Sequence, residues 1–156
     1  MMRRRVVITG LGVVSPHGCD VGPMFDSLMR GESAIRRVQL QSEVGAFDFV
    51  GAAVPGEPWS TLPRSHRVSS DRVAQYALLA ADAALHDSQL DLAKEDLSRV
   101  GVAVGTSLGG TLSQESAYAD IFVRGMSRLS PFTLVKVMYN GPAANIGLHL
   151  LRILID

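Results

Sequence analysis

The sequence predicts an α/β fold with a mostly parallel sheet and helices on both of its faces. Two short runs rich in β-branched and apolar residues, 5–9 and 100–104, each run straight into a glycine, as strands buried on both faces do. Between and after them lie stretches with apolar residues at helical spacing, clearest over 70–87. Strands alternating with helices imply parallel pairing through right-handed crossovers.

Each element has its own local signal. Residues 5–9 form a β-branched strand closed by Gly10 and Gly12, and Arg3 to Arg5 read as its solvated start rather than as a binding patch. Residues 20–29 make a first helix, with Asp20 as N-cap and Gly31 just past its end. Residues 44–54 hold one strand or two short ones, and 55–65, with three prolines and the chain's one tryptophan, form a surface loop. The helix over 70–87 is capped by Ser69 or Ser70. Val73, Ala77, Ala80, Ala81 and Ala84 fall on one stripe, widened by Leu78, Leu79 and Leu85. Arg72, Gln75, Asp82 and His86 take the opposite, solvated side. A strand at 100–104 and a helix at 111–123 follow. Ser130 then caps a helix with Pro131 at its first position, running to Tyr139 before Gly141 and Pro142 stop it. Residues 143–155 are apolar almost all round and read as a buried helix, too short to span a bilayer.

Composition narrows the class of function. Fifteen basic and fifteen acidic side chains cancel, so there is no electrostatic case for nucleic acid or an anionic membrane. A hydrophobic content of 47% with 19% charge fits one packed domain. The one cysteine, Cys19, excludes an intrachain disulfide or a Cys-based metal site. Gly10, Gly12, Ser15 and Pro16 interrupt any apolar run behind the N-terminal arginines, so no signal peptide is predicted and a cytoplasmic setting is expected. No metal or cofactor is called for.

Three short motifs carry possible chemistry. Gly10-Leu11-Gly12-Val13-Val14-Ser15 follows a strand as a dinucleotide fingerprint does, but Ser15 replaces the third glycine and Pro16 follows, so a tight turn is the better reading. Gly105-Thr106-Ser107-Leu108-Gly109 satisfies the nucleophile-elbow pattern, and Asp120 and His149 follow Ser107 in the order a triad requires. Too little chain remains after Ser107 for the further strands that carry those partners in a hydrolase sheet. Cys19 sits near His17 ahead of a helix start, where a thiol pKa can fall, yet it lacks an oxyanion donor and reads as a plain loop cysteine.

A broader resemblance outweighs these motifs. The opening Arg4-Arg5-Val6-Val7-Ile8-Thr9-Gly10-Leu11-Gly12-Val13-Val14-Ser15-Pro16-His17-Gly18, the segment 101–110, and Leu129-Ser130-Pro131-Phe132 resemble the β-ketoacyl-[acyl-carrier-protein] synthases of the condensing-enzyme family, especially the type II fatty-acid elongation enzymes. The resemblance covers almost all of residues 3–149 in order and spacing. It implies the N-terminal half of a thiolase-like fold, incomplete by itself, from a parent that works as a homodimer on an acyl carrier protein and acyl thioesters. The family transfers the acyl chain to a cysteine, decarboxylates a malonyl thioester and joins the two by Claisen condensation. Two histidines from the second half and backbone N–H groups stabilise the oxyanions. By resemblance, Leu108 gates the acyl pocket, Phe132 and Thr133 line it near the subunit boundary, and Thr106, Ser107, Gly109 and Gly110 shape the same wall. Ser107 is then packing.

The resemblance implies no catalytic residue within this chain. In the family, the helix matching residues 142–150 leads through a Gly-Pro turn to a strand that ends at the reactive cysteine, whereas Leu151-Arg152-Ile153-Leu154-Ile155-Asp156 stands here. None of His17, His66, His86 or His149 falls in a matching motif. The expectation is a truncated N-terminal domain, 1–156, with one sheet face uncovered, that condenses nothing unaided. A rival expectation is that a separate chain completes the site. Two alternatives of different class are a non-catalytic carrier-binding or scaffold subunit and a serine hydrolase using Ser107.

Overall fold

The computed structural model describes residues 5–42 and 45–150. Helix α1, Val21–Met29, starts where the Asp20 carboxylate accepts from the Gly22 N–H at 3.0 Å, satisfying one of the first turn's orphan donors. It ends as the sequence predicts. Gly31, at φ +68, donates to the Leu28 carbonyl while Glu32 donates to that of Ser27, a paired closure that needs the left-handed conformation at Gly31.

Strands β1, Arg36–Ser42, and β2, Gly45–Gly51, form an antiparallel hairpin, with Val38 opposite Phe49 and Leu40 opposite Phe47. β2 is one strand of the 44–54 segment. β1 went unpredicted, although Val38 and Leu40 alternate with Gln39 and Gln41 in the two-residue period of a strand. The predicted surface loop 55–65 is more ordered than expected: a 3-10 turn at Pro58–Thr61 lies within it, helix α2, Arg64–Ser69, begins at its end, and Leu62 between them is buried. Leu62 joins the core cluster with Leu78 and Ile146.

Helix α3, Arg72–Ser88, confirms the strongest periodicity, but its cap is Asp71, which accepts from Val73 N–H at 3.1 Å, rather than Ser69 or Ser70. Its buried arc contains Ala74, Gln75 and Leu78. Gln75 is therefore not on a solvated face, because backbone carbonyls next to it provide the acceptors a buried amide needs. The alanine stripe admits backbone. A Cβ placed on Gly12 or Gly10 would come within 2.0 Å of the Ala80 carbonyl oxygen or 2.1 Å of that of Ala84. The glycine pair is thus a close-packing device against α3, and the nearby turn is at Ser15 and Gly18, whose backbones pair.

The runs 5–9 and 100–104 differ most from expectation. Among the described residues the one hydrogen-bonded sheet is the hairpin, and neither run joins a ladder. Val6 and Ile8 are 91% and 82% exposed, so the mostly parallel sheet, buried on both faces, is not assembled here. Parallel strands need hydrogen-bonded neighbours and covering elements on each side. Val102 does pack on the core formed by Leu62, Leu78 and Ile146, beside Ala77, Ala81 and Leu150.

Helix α4, Thr111–Phe122, matches its prediction. Helix α5, Phe132–Val137, is shorter than predicted, since Met138 is extended; Ser130 Oγ does accept from Phe132 N–H, and Pro131 occupies the cap position. Gly141 and Pro142 do not stop a helix but begin one, α6, Gly141–Leu150, where a missing N–H in the first turn costs nothing. Ile146 is buried and Leu148 exposed, so α6 is one-sided rather than apolar all round; residues 151–155 of the predicted helix lie outside the described residues. Among those described, no helix is long and apolar enough to cross a membrane.

Candidate functional site

The glycine-rich loop is held by backbone contact. Gly109 adopts φ +63, Gly110 caps α4, and a Cβ on Gly110 would sit 1.9 Å from the Lys136 carbonyl oxygen. A Cβ on Gly109 would lie 2.9 Å from that of Val137. The loop is thereby pressed flat against the end of α5, which no residue with a side chain permits.

Behind it lies a buried polar knot that the sequence reading missed. Asp71, 5% exposed, accepts from Val73 N–H through one carboxylate oxygen and from Ser113 N–H, at 2.7 Å, through the other. One carboxylate so caps α3 and holds the first turn of α4, where negative charge is favoured. Gln75, also 5% exposed, donates to the carbonyls of Arg67 at 3.2 Å and Ser70 at 3.1 Å, tying in the end of α2. An acidic residue directly ahead of the α3 periodicity was the signal for Asp71; for Gln75 the sequence offered none.

The residues assigned to an acyl-pocket wall occupy varied environments. Thr106 is half-buried and accepts from Gly109 N–H at 3.4 Å, Gly109 and Gly110 are buried, and Ser107 is exposed. Leu108 and Phe132 are 63% and 51% exposed. Thr133 faces a polar cavity of about 310 Å³ that also meets Asp71, Gln75, Ser113 and Lys136. The loop and α5 are brought together, but through Lys136 and Val137 at the end of α5 and Tyr139 just past it rather than through Phe132 and Thr133.

The serine-hydrolase arrangement is not assembled. Asp120 pairs with Arg124, and His149 lies between His66, ring nitrogens 3.3 Å apart, and Asp82, at 3.4 Å, so neither serves Ser107. Cys19 is exposed beside Leu11, Gly12 and Asp87 in a shallow cleft. Next to the polar knot, the Arg72 guanidinium stacks 3.1 Å over the Trp59 ring centre, and Tyr76 approaches the same ring at 5.9 Å. Burial lowers the Arg72 pKa from its ordinary value and raises that of Tyr76. Among the described residues no three His, Cys, Asp or Glu side chains gather as a metal site.

Comparison with known proteins decides the lineage. The family described as Beta-ketoacyl synthase, N-terminal domain, matches residues 3–151. The chain belongs to this family. Among β-ketoacyl synthase relatives, the 3-oxoacyl-[acyl-carrier-protein] synthase 2 of Vibrio harveyi is 30% identical over 95% of this chain and 36% of its own length. The crystal structure of a β-ketoacyl synthase from Burkholderia phymatum superposes with TM-score 0.71 at 28% identity, over 94% of this chain and 36% of that one. A type II polyketide ketosynthase solved in complex with its acyl carrier protein shares the fold, with TM-score 0.70 at 24% identity over 94% of this chain and 39% of that one. The chain thus carries the N-terminal part of a thiolase-like fold and spans about a third of the length of the relatives it matches.

Proposed function

We propose that this chain is the N-terminal domain, 1–156, of a 3-oxoacyl-[acyl-carrier-protein] synthase, in which it supplies scaffold and one wall of the acyl pocket. The observation that carries the proposal is the family match across residues 3–151 in a chain whose one cysteine is an exposed loop residue. The reaction is decarboxylative condensation of acyl and malonyl thioesters in fatty-acid biosynthesis, in the cytoplasm, within a homodimer that receives its substrates from an acyl carrier protein. Thr106 to Gly110, with Phe132 and Thr133, form the wall. Its flatness is supported by the absence of room for any Cβ at Gly110. Leu108, projecting from this anchored backbone, is the gate.

The nucleophile and the two oxyanion-stabilising histidines are contributed from outside these residues. A thioester exchange without thiolate or oxyanion donor loses orders of magnitude in rate, so the 156 residues alone are inactive. Malonyl-carrier decarboxylation by homogeneous protein tests this: turnover absent with the chain alone and restored by a protein supplying the remaining two thirds of a β-ketoacyl synthase is the expected result. Turnover without such a partner overturns the reading.

A second reading is a non-catalytic subunit that binds the carrier. Support comes from the fold shared with a type II polyketide ketosynthase in complex with its acyl carrier protein. Titration with carrier protein separates it from the first reading, for saturable binding persisting where no complementing chain restores turnover favours a scaffold role.

A further inference from the structure

Helices α2 to α5 all contribute to the polar cavity of about 310 Å³ beside the glycine-rich loop, and its charges do not balance. Arg67, Arg72 and Lys136 line it, against the carboxylates of Asp71 and Asp120. Both carboxylates are already engaged. Asp71 accepts from the N–H groups of Val73 and Ser113, and Asp120 pairs with Arg124. None of the three cations forms an ion pair among the described residues, although Arg72 stacks on Trp59. Positive charge is left over at this cavity.

A second observation does not depend on charge. Gln75, 5% exposed, donates through its amide nitrogen to the carbonyls of Arg67 and Ser70, while its Oε1 is buried with no hydrogen-bond partner. Arg72 Nη1, three residues earlier on α3, is buried in the same condition. Folded proteins rarely leave such atoms, because burial strips them of water. Their needs are opposite: a guanidinium can only donate, and an amide oxygen can only accept. A group that answers both brings oxygen acceptors to Arg72 and a hydroxyl proton to Gln75. Hydrogen phosphate does so near neutral pH, since it keeps one O–H and its other oxygens suit a guanidinium. Sulfate has no proton to give.

We propose that this cavity is a binding site for a small protonated oxyanion, hydrogen phosphate being the simplest, held between Arg72 and Gln75 with Lys136 and Arg67 supplying further positive charge. The bound ion links α2, α3 and α5 through one ligand. It takes no part in the condensation chemistry, and its binding stands whether or not that reading holds.

The test is a titration of the 156-residue chain with sodium phosphate at neutral pH, sodium chloride holding the ionic strength constant, followed by ¹H–¹⁵N shifts. Saturable shifts at the Gln75 side-chain amide and the Arg72 guanidinium are expected. Sodium sulfate should bind about tenfold more weakly, the loss of one hydrogen bond to a buried acceptor. Lys136→Met should weaken phosphate binding by roughly tenfold and Arg67→Met, at an exposed position, by roughly threefold. Lys94→Met, outside the cavity and paired with Asp91, leaves it unchanged. Gln75→Met should bring phosphate and sulfate to equal affinity. Gln75 also ties in the end of α2, so if that variant does not fold, the phosphate-to-sulfate ratio of the unsubstituted chain decides. Equal affinity for the two ions in that chain, or unsaturable shifts spread over its exposed arginines and lysines, would overturn the proposal.

Discussion

Gly110→Ala isolates the close approach on which the loop depends. Gly110 sits at φ −82 and ψ 68, a negative φ open to alanine, so the substitution adds a methyl group with little torsional strain. That methyl carbon would begin 1.9 Å from the Lys136 carbonyl oxygen and 3.0 Å from Asp71 Cβ. Neither neighbour is a flexible side-chain tip: one is helix backbone, the other the root of the buried carboxylate. To reach even a tight 3.0 Å contact, α4 and α5 must separate by about 1 Å, which strains the Asp71 to Ser113 bond as well. Overpacking of this kind costs about 1–3 kcal/mol, and for a chain of this size that lowers Tm by roughly 3–10 °C. Urea or thermal unfolding followed by circular dichroism reads the change, with Gly147→Ala as comparison because, beyond its own stretch of helix, nothing lies within 4 Å of its added Cβ. Gly147 is inside α6, so its replacement should instead stabilise by up to about 1 kcal/mol. If the two variants unfold together, the argument for a flat, backbone-packed loop fails.

Other expectations follow from the same structure. Asp71→Asn keeps the shape but presents an amide N–H₂ group to one of two backbone donors, and should cost about 1–3 kcal/mol in urea unfolding; a neutral result would show that its paired bonds contribute little. Leu78→Ala removes a fully buried side chain from the small core and should cost about 2–5 kcal/mol by the same assay. Tyr76 has its pKa raised by burial, so the folded state holds the phenol proton to higher pH than the unfolded chain; its contribution is complete below about pH 10 and is lost as pH rises beyond. Tyr76→Phe should flatten that alkaline loss, which a stability profile from about pH 9 to 11 checks. Ser107→Ala should leave stability within about 0.5 kcal/mol and abolish no esterase activity, since no acid–imidazole pair reaches Ser107.

What the sequence revealed is what local chemistry controls. Asp20 and Gly31 bracket α1 because a carboxylate and a left-handed glycine act within a few residues of themselves, and the alanine periodicity places α3 to within a few residues of its ends. The misses have a common origin in tertiary context. Gln75 is polar and its helical position points to solvent, but it is buried because the end of α2 turns the carbonyls of Arg67 and Ser70 toward it. Gly141 and Pro142 carry helix-stopping and helix-starting signals alike, and only the extended Met138 before them selects the second. Runs 5–9 and 100–104 have strand composition, yet strand composition becomes a sheet only where hydrogen-bonding neighbours stand on each side. For the site, the glycines of 105–110 marked where backbones meet, while Asp71, the group that pins that loop, was hidden behind two serines that looked like better caps.

The double use of the Asp71 carboxylate makes two helix beginnings into one event. Freeing Ser113 N–H leaves the same side chain half-satisfied at Val73, and releasing Val73 leaves it adrift at Ser113, so fraying at either end is felt at the other. Amide exchange at these two positions, 40 residues apart in the chain, should therefore proceed with a shared protection, and the loop between α3 and α4 opens or closes as a unit with both.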